Sequence, residues 1–327
     1  MISVKQKLES LRKAMSANDI AAYIVPGTDP HASEYIADHW KEREWISGFD
    51  GSVGTAAVTL GKAGMWIDSR YFLQADEQLV GTGIDSMKMG LPDTPEIISW
   101  IISQLKKGEK VGVNPQMFSA NAYRAMKNEL FFHGLELVPV DLISPIWTDR
   151  PELPCEKCFI YPVEYAGETC GEKLLLLRKE LQKTGADVFV VSALDDIAWL
   201  FNLRGRDVDY NPVVIAYALI SADGVALYLS AEKLTDETRK YLDLENVKIK
   251  DYFDIYNDLR NISPSLKVLV DGSKLNQSLF EAIPADCLII NQMSAVFRLK
   301  SVKNEVEIAG LRNAMVRDGV ALTRFFM

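Results

Sequence analysis

Few side chains in this sequence are spaced to do chemistry. Its three histidines are His31, His39 and His133. A hydrolytic metal site needs several His, Asp and Glu converging, often announced by H-E-x-x-H on one helix face. His31 and His39 are eight residues apart, and neither has a Glu and a second His at helical spacing. His31 follows Gly27-Thr28-Asp29-Pro30 and reads as a loop residue in a turn. Cys155-x-x-Cys158 has a metal-like spacing, but structural zinc takes four ligands, usually as two close pairs. Cys170 and Cys287 form no second pair, so two neighbouring thiols are expected rather than zinc or a redox centre. There is no phosphate-cradling Gly-rich loop and no Gly-x-Ser-x-Gly elbow.

Arg70 is the informative residue. Met65-Trp66-Ile67-Asp68 ends a predicted strand, and residues 71–80 form a predicted helix. Ligand-facing groups often sit at the carboxyl end of a strand. The planar fork of Arg70 could grip a carboxylate or a carbonyl there. It could also form a structural ion pair with Asp68 or Asp76, and the residues alone favour that reading.

The elements that would position Arg70 come from the rest of the chain. At 327 residues about two domains are expected, and 48% hydrophobic with 25% charged residues is globular composition. The net charge of −9 argues against a nucleic-acid binder or a partner of anionic membrane. The longest apolar run, residues 213–220, is far short of the ~20 needed to cross a bilayer. Residues 1–11 interleave Lys, Glu and Arg and do not form a signal peptide. A soluble, cytoplasmic, two-domain protein is expected.

A repeat organises those domains. KLESLRKAMSANDIAAYIV, residues 7–25, aligns without gaps on KLLLLRKELQKTGADVFVV, residues 173–191. Leu8 faces Leu174, Leu11 faces Leu177, and Arg12-Lys13 faces Arg178-Lys179. Each copy predicts an amphipathic helix, a polar break and a strand. Aromatic turns around Trp45 and Trp199 follow, then predicted strands at 55–60 and 65–68 in one copy and at 213–221 and 225–230 in the other. Later strands are predicted at 266–270 and 287–290. Pro145, Pro151, Pro154 and Pro162 mark a semi-rigid linker between the copies. Residues 301–327 predict a helix capped by Ser301, with Glu305 and Glu307 early and no stop signal. Its terminal Phe325-Phe326-Met327 suggests a helix continuing into a further domain, or one packing on the second domain or another chain.

Several segments together resemble the Xaa-Pro aminopeptidase (aminopeptidase P) family, of the long cytosolic type. They are Trp45-Ile46-Ser47-Gly48-Phe49-Asp50-Gly51-Ser52, MWIDSRYFLQ at 65–74, and Lys88-Met89-Gly90-Leu91 with Asp93-Thr94-Pro95. IWTDRP at 146–151, ALDDIAWLFNLRG at 193–205, Asn211-Pro212 and the tail at 303–321 complete the set. The resemblance implies an α/β fold class with two tandem creatinase N-terminal-like domains, each a mixed sheet flanked by helices. They would span residues 1–147 and 163–299, joined by a linker at 148–162. Residues 300–327 would then be the first helix of a missing pita-bread catalytic domain. That domain would hold two Mn²⁺ ions on two Asp, one His and two Glu, none of which is expected in this chain. No catalytic residue and no metal ligand is therefore assigned here, and the chain alone is expected to be inactive.

Further expectations follow from the same resemblance. The substrate would be a peptide with proline at its second position, and the enzyme a homodimer. Arg70 matches the family's substrate-binding arginine in W-x-D-x-R-Y, although Ser69 stands where glycine is common. Cys155 and Cys158 match no family signature. Asp195 is expected to cap the helix after a strand, and Ile197, Trp199 and Leu200 to pack. Two alternatives are kept. One is a non-catalytic binding module like the aminopeptidase-like domain of a histone chaperone. The other is a proline dipeptidase or creatinase-like hydrolase of the same superfamily.

Overall fold

In the computed structural model, which describes residues 2–327, Ser3 opens the first helix, α1 (Val4–Ala17). The Ser3 hydroxyl accepts from the Gln6 amide and the Gln6 side chain accepts from the Ser3 amide, satisfying two donors a helix start leaves orphaned. The chain then forms β1 (Ala22–Pro26), α2 (Glu42–Ser47), β2 (Thr55–Thr59), β3 (Ala63–Ile67), α3 (Phe72–Gln78) and β4 (Asp85–Lys88). It continues through α4 (Ile97–Gln104), β5 (Lys110–Val113), α5 (Ala120–Phe132) and β6 (Glu136–Pro139). These strands make one sheet in the order β4-β3-β2-β1-β5-β6. β1 runs antiparallel to β2 and parallel to β5.

Alternation along β1 explains the layers. Tyr23 and Val25 lie in a core with Leu8, Leu11 and Met15 of α1 and Ile46 of α2. Ala22 and Ile24 lie in a second core with Trp100 and Ile101 of α4 and Tyr123, Met126 and Leu130 of α5. A central strand with both faces covered must be apolar throughout, as this one is.

The second unit repeats that plan. After β7 (Phe159–Ile160) and α6 (Val163–Ala166) come α7 (Cys170–Thr184), β8 (Val188–Val191), α8 (Leu194–Leu200), β9 (Leu203–Arg204), β10 (Tyr217–Ser221) and β11 (Val225–Tyr228). Next are α9 (Asp236–Leu244), β12 (Lys248–Lys250), α10 (Asp254–Arg260), β13 (Lys267–Val270), α11 (Gln277–Ala282), β14 (Leu288–Asn291), α12 (Ala295–Ser301) and α13 (Glu305–Phe326). The sheet order is β12-β11-β10-β8-β13-β14, with the same pattern of parallel and antiparallel pairs as the first. Contacts divide the chain into residues up to Pro154 with Gly272–Glu281, and Cys155–Asp271 with Ala282–Met327.

The repeat reaches individual hydrogen bonds. Lys7 donates to the Trp45 carbonyl at 2.8 Å and lies over the Trp45 ring. Lys173, its counterpart, donates to the Trp199 carbonyl at 2.9 Å and lies over the Trp199 ring. Arg12 reaches the Thr59 carbonyl at the end of β2, and Arg178 the Ser221 carbonyl at the end of β10. In both copies a basic residue of the leading helix thus ties it to the aromatic turn, and another to the hairpin.

Four expectations need correction. Residues 213–216 are buried coil, not the start of a strand, and Ile215 donates its amide to the Asp207 carboxylate at 2.7 Å. Apolar runs do not distinguish a strand from a buried loop whose amides find side-chain acceptors. The proline-rich stretch ends in an element, because Phe159–Ile160 pairs with Leu203–Arg204. The last helix is capped by Asn304, in a capping box with Glu307, while Ser301 closes the short helix before it. Asp195 does not cap α8; it lies in the first turn and pairs with Lys300. No residue of α13 is buried, and its contact with the second unit is made at its start. Asn304 donates to the Ala166 carbonyl at 2.8 Å, and Glu307 accepts from the Trp199 indole at 3.1 Å.

Candidate functional site

Arg70 sits where β3 gives way to a single 3₁₀ turn, Ser69–Tyr71, before α3. Asp68 caps that turn by accepting the Arg70 amide at 3.0 Å. The same carboxylate takes the Arg70 fork from Nε, at 3.1 and 3.2 Å, and from Nη2, at 2.6 Å. Of the two acids named as possible partners, Asp68 is the one used; Asp76 pairs with Lys88 at 2.5 Å. The Arg70 hydrogen bonds hold the Asp68 carboxyl below the usual range, and Asp68 in turn stabilises the charge on Arg70. The Arg70 side chain is nevertheless 64% exposed. It is therefore fixed at its root and open at its tip.

The ground beneath Arg70 is built by residues far apart in sequence. Buried Arg43 donates to the carbonyls of Phe49 and Gly51, each at 2.6 Å, and so shapes the loop beside the turn. Burial lowers the Arg43 pKa, opposed by Glu44 and Asp50. Tyr71 packs its edge against Phe49 and shares a 2.6 Å hydrogen bond with Ser52. Asp50 accepts from Gln74 at 2.6 Å and Gln78 at 2.7 Å, tying that loop to α3. Trp66 donates its indole N–H to the Pro95 carbonyl at 2.7 Å. Trp45 stacks on Trp147 at 5.3 Å, and Arg150 pairs with buried Glu42 at 3.0 Å. The segments around 45–52, 65–74, 93–95 and 146–151 are thus one connected framework around β3.

The remaining sequence candidates stay separate. His31 lies in a loop as expected, but buried, with its ring edge-on to Trp40 at 5.8 Å. His39 Nδ1 bonds the Pro151 carbonyl at 2.6 Å, and His133 follows the end of α5. Cys155 is exposed near Glu232, whereas Cys158 is buried in the core of the second unit. Among the described residues, no group of three or more His, Cys, Asp or Glu could hold a metal ion. Likewise, no described helix is long and apolar enough to cross a membrane. Sequence reasoning missed Arg43, because nothing in an isolated Arg inside EREWIS reveals which carbonyls it will meet.

Two sheets of identical order, each strand pattern repeated, define a tandem of one domain type. The Creatinase/Prolidase N-terminal domain family matches residues 7–146, and a second description of that domain matches 149–307. The chain belongs to this family, which it represents twice. It is similar to "Probable Xaa-Pro aminopeptidase P" of Sordaria macrospora, at 38% identity over 99% of this chain and 55% of the relative. The protein of that name in Ajellomyces dermatitidis is 39% identical, again over 99% and 55%. Among solved structures it is similar to X-prolyl aminopeptidase of Caenorhabditis elegans, described as a cytosolic enzyme with a di-nuclear active site. That match has a TM-score of 0.93 and 31% identity, over all of this chain and 56% of the other. The chain spans about half the length of the curated relatives it matches.

Proposed function

We propose that these two domains serve a cytosolic, homodimeric Xaa-Pro aminopeptidase, which hydrolyses the bond between an N-terminal residue and a following proline. In this reading they flank the entrance to a catalytic region outside residues 1–327, and Arg70 holds part of the peptide. Similarity over 99% of the chain to relatives of that name supports the reaction class. The observation that carries the role of Arg70 is its presentation. Asp68 bonds Nε and Nη2, which orients the fork and leaves Nη1 for a substrate carbonyl or carboxylate. A group held this way contributes positioning rather than bond-making.

Two manganese ions belong to this proposal only as the property of the catalytic region, where they would activate water. The side chains described here do not fit such a centre, since no three potential ligands converge. Residues 1–327 alone are therefore expected to cleave nothing.

The test is Arg70→Ala in the longer enzyme. kcat/KM for a tripeptide with proline second should fall by at least about tenfold, with the melting temperature unchanged. Arg70→Lys, which keeps charge but loses the fork, should recover part of it. A loss within about twofold would leave Arg70 with a structural role only. Chelator-sensitive release of amino acid by residues 1–327 alone would overturn the whole reading.

A further inference from the structure

The two units treat their equivalent tryptophans differently. Trp45 of the first stacks its ring on Trp147 at 5.3 Å. Trp199 of the second lies between opposite charges. The Lys173 ammonium is 4.4 Å from its ring centroid, and its indole N–H donates to Glu307 Oε1 at 3.1 Å. An indole favours a cation over its face and an acceptor at its N–H edge, so the two contacts hold the ring in one orientation. Lys173 is 1% exposed, whereas Lys7 is half-buried, and it also donates to Asn202 Oδ1 at 2.6 Å. Asn202 is itself buried and donates to the Glu168 carbonyl at 2.8 Å. The second copy of the repeat thus holds its tryptophan firmly and turns the indole N–H toward α13.

Two side chains of the first turn fasten α13. Asn304 donates to the Ala166 carbonyl at 2.8 Å and accepts the Glu307 amide at 2.9 Å. Glu307 accepts the Asn304 amide through Oε2 at 3.0 Å and reaches Trp199 through Oε1. One carboxylate therefore closes the capping box and joins the helix start to α8. Anchors at two separate points, the end of α6 and the middle of α8, define a direction, whereas a single anchor leaves a pivot. Beyond Ile308 every residue of α13 except Ala314 is exposed, so the course of the helix is set at this end. Its 22 residues are about 33 Å long, and a tilt of about 10° at the first turn would carry the far end about 6 Å.

We propose that Trp199 and Glu307 form a latch that sets the direction of α13, and that both are positioning residues for the peptide hydrolysis proposed above. In a longer enzyme α13 would carry that direction to the catalytic region, where a displacement of this size misplaces reacting groups. The latch stands on the contacts of the second unit alone; its effect on catalysis rests on the peptidase reading.

The experiment places spin labels on the exposed Cys155 and on Leu322→Cys, both in the second unit, and measures their separation by double electron–electron resonance. Cys158, Cys170 and Cys287 are buried and should stay unlabelled. A narrow distance distribution is expected for the otherwise unaltered chain. Trp199→Phe, which keeps a ring on Lys173 but loses the N–H, should broaden it at least about twofold. Glu307→Ala, at a half-buried position, should do the same, whereas Glu307→Gln keeps an acceptor for both donors and should leave it narrow. In the longer enzyme Trp199→Phe and Glu307→Ala should lower kcat at least about tenfold, with KM within about twofold and the melting temperature unchanged. Glu307→Gln should recover most of kcat. If Trp199→Phe does not fold, the two Glu307 variants decide. Equally narrow distributions in all variants would overturn the latch, and broadened distributions with unchanged kcat would overturn its positioning role. A longer enzyme that cleaves no Xaa-Pro bond would refute the peptidase reading and the positioning role with it, while the label distances still judge the latch.

Discussion

Glu42→Gln isolates a buried carboxyl whose titration should be visible in stability. Glu42 is 2% exposed, and burial is the main cause that pushes its pKa up from the ordinary 4.5 to about 7. Asp141 pushes in the same direction, while Arg150 and the hydrogen bonds from Arg150 and Asn114 oppose them. A carboxyl raised on folding binds its proton more tightly in the native state. Its contribution is therefore full below pH 4.5 and is lost as pH rises through about 7. About two and a half pH units at about 1.4 kcal/mol each give on the order of 3 kcal/mol of stability lost across that window. Gln does not titrate, so the variant should lack this loss. Its stability relative to the unaltered chain should rise by on the order of 3 kcal/mol between pH 4.5 and pH 8, whatever the constant effect of removing the Arg150 partner. The assay is urea unfolding followed by tryptophan fluorescence. Of the six tryptophans, only Trp199 lies in the second unit, so the signal reports mainly the first. Parallel pH profiles for the two proteins would refute the reasoning, because they would mean Glu42 ionises in the folded state as it does in water.

Further outcomes follow in the second unit. Lys233 and Asp207 form a buried pair at 2.5 Å, with side chains 3% and 1% exposed. Lys233→Met should cost about 3–5 kcal/mol in urea unfolding followed by far-ultraviolet circular dichroism, because it strands a buried carboxylate. Lys233→Met with Asp207→Leu should recover much of that loss; a double variant no better than the single one would count against a desolvation origin. Thiol titration of the folded chain should show one fast-reacting cysteine, the exposed Cys155. Burial raises the pKa of Cys158 and pushes that of Cys170 up to about 12, so both should react only on unfolding. Equal rates at Cys155 and Cys158 would contradict their separation between surface and core.

Much of the fold was legible because the signals that carried it are local and occur twice. The helix periodicity of 7–17 and 173–184, the polar break and the apolar strand recur in the same register, and Leu8, Leu11, Leu174 and Leu177 are all buried. The duplication also exposes the conserved-in-structure roles of Lys7 and Lys173, whose alignment the sequence showed but whose acceptor carbonyls it did not. Capping was less legible. Ser301 and Asn304 are both good caps, and the choice fell to Asn304 because its side chain also bonds Ala166, more than a hundred residues away.

Sequence alone determined that there are two α/β domains of one kind, where their main helices and strands lie, and that Arg70 stands at the end of a strand. Those features depend on periodicity and propensity within windows of a few residues. Tertiary structure alone decided that Arg70 takes Asp68 rather than Asp76, and that Glu42 is buried against Arg150, 108 residues away. The reason is that charge pairing and desolvation depend on which groups the folded chain brings within a few ångströms and on how much water it removes, and neither is written in the neighbours of a residue.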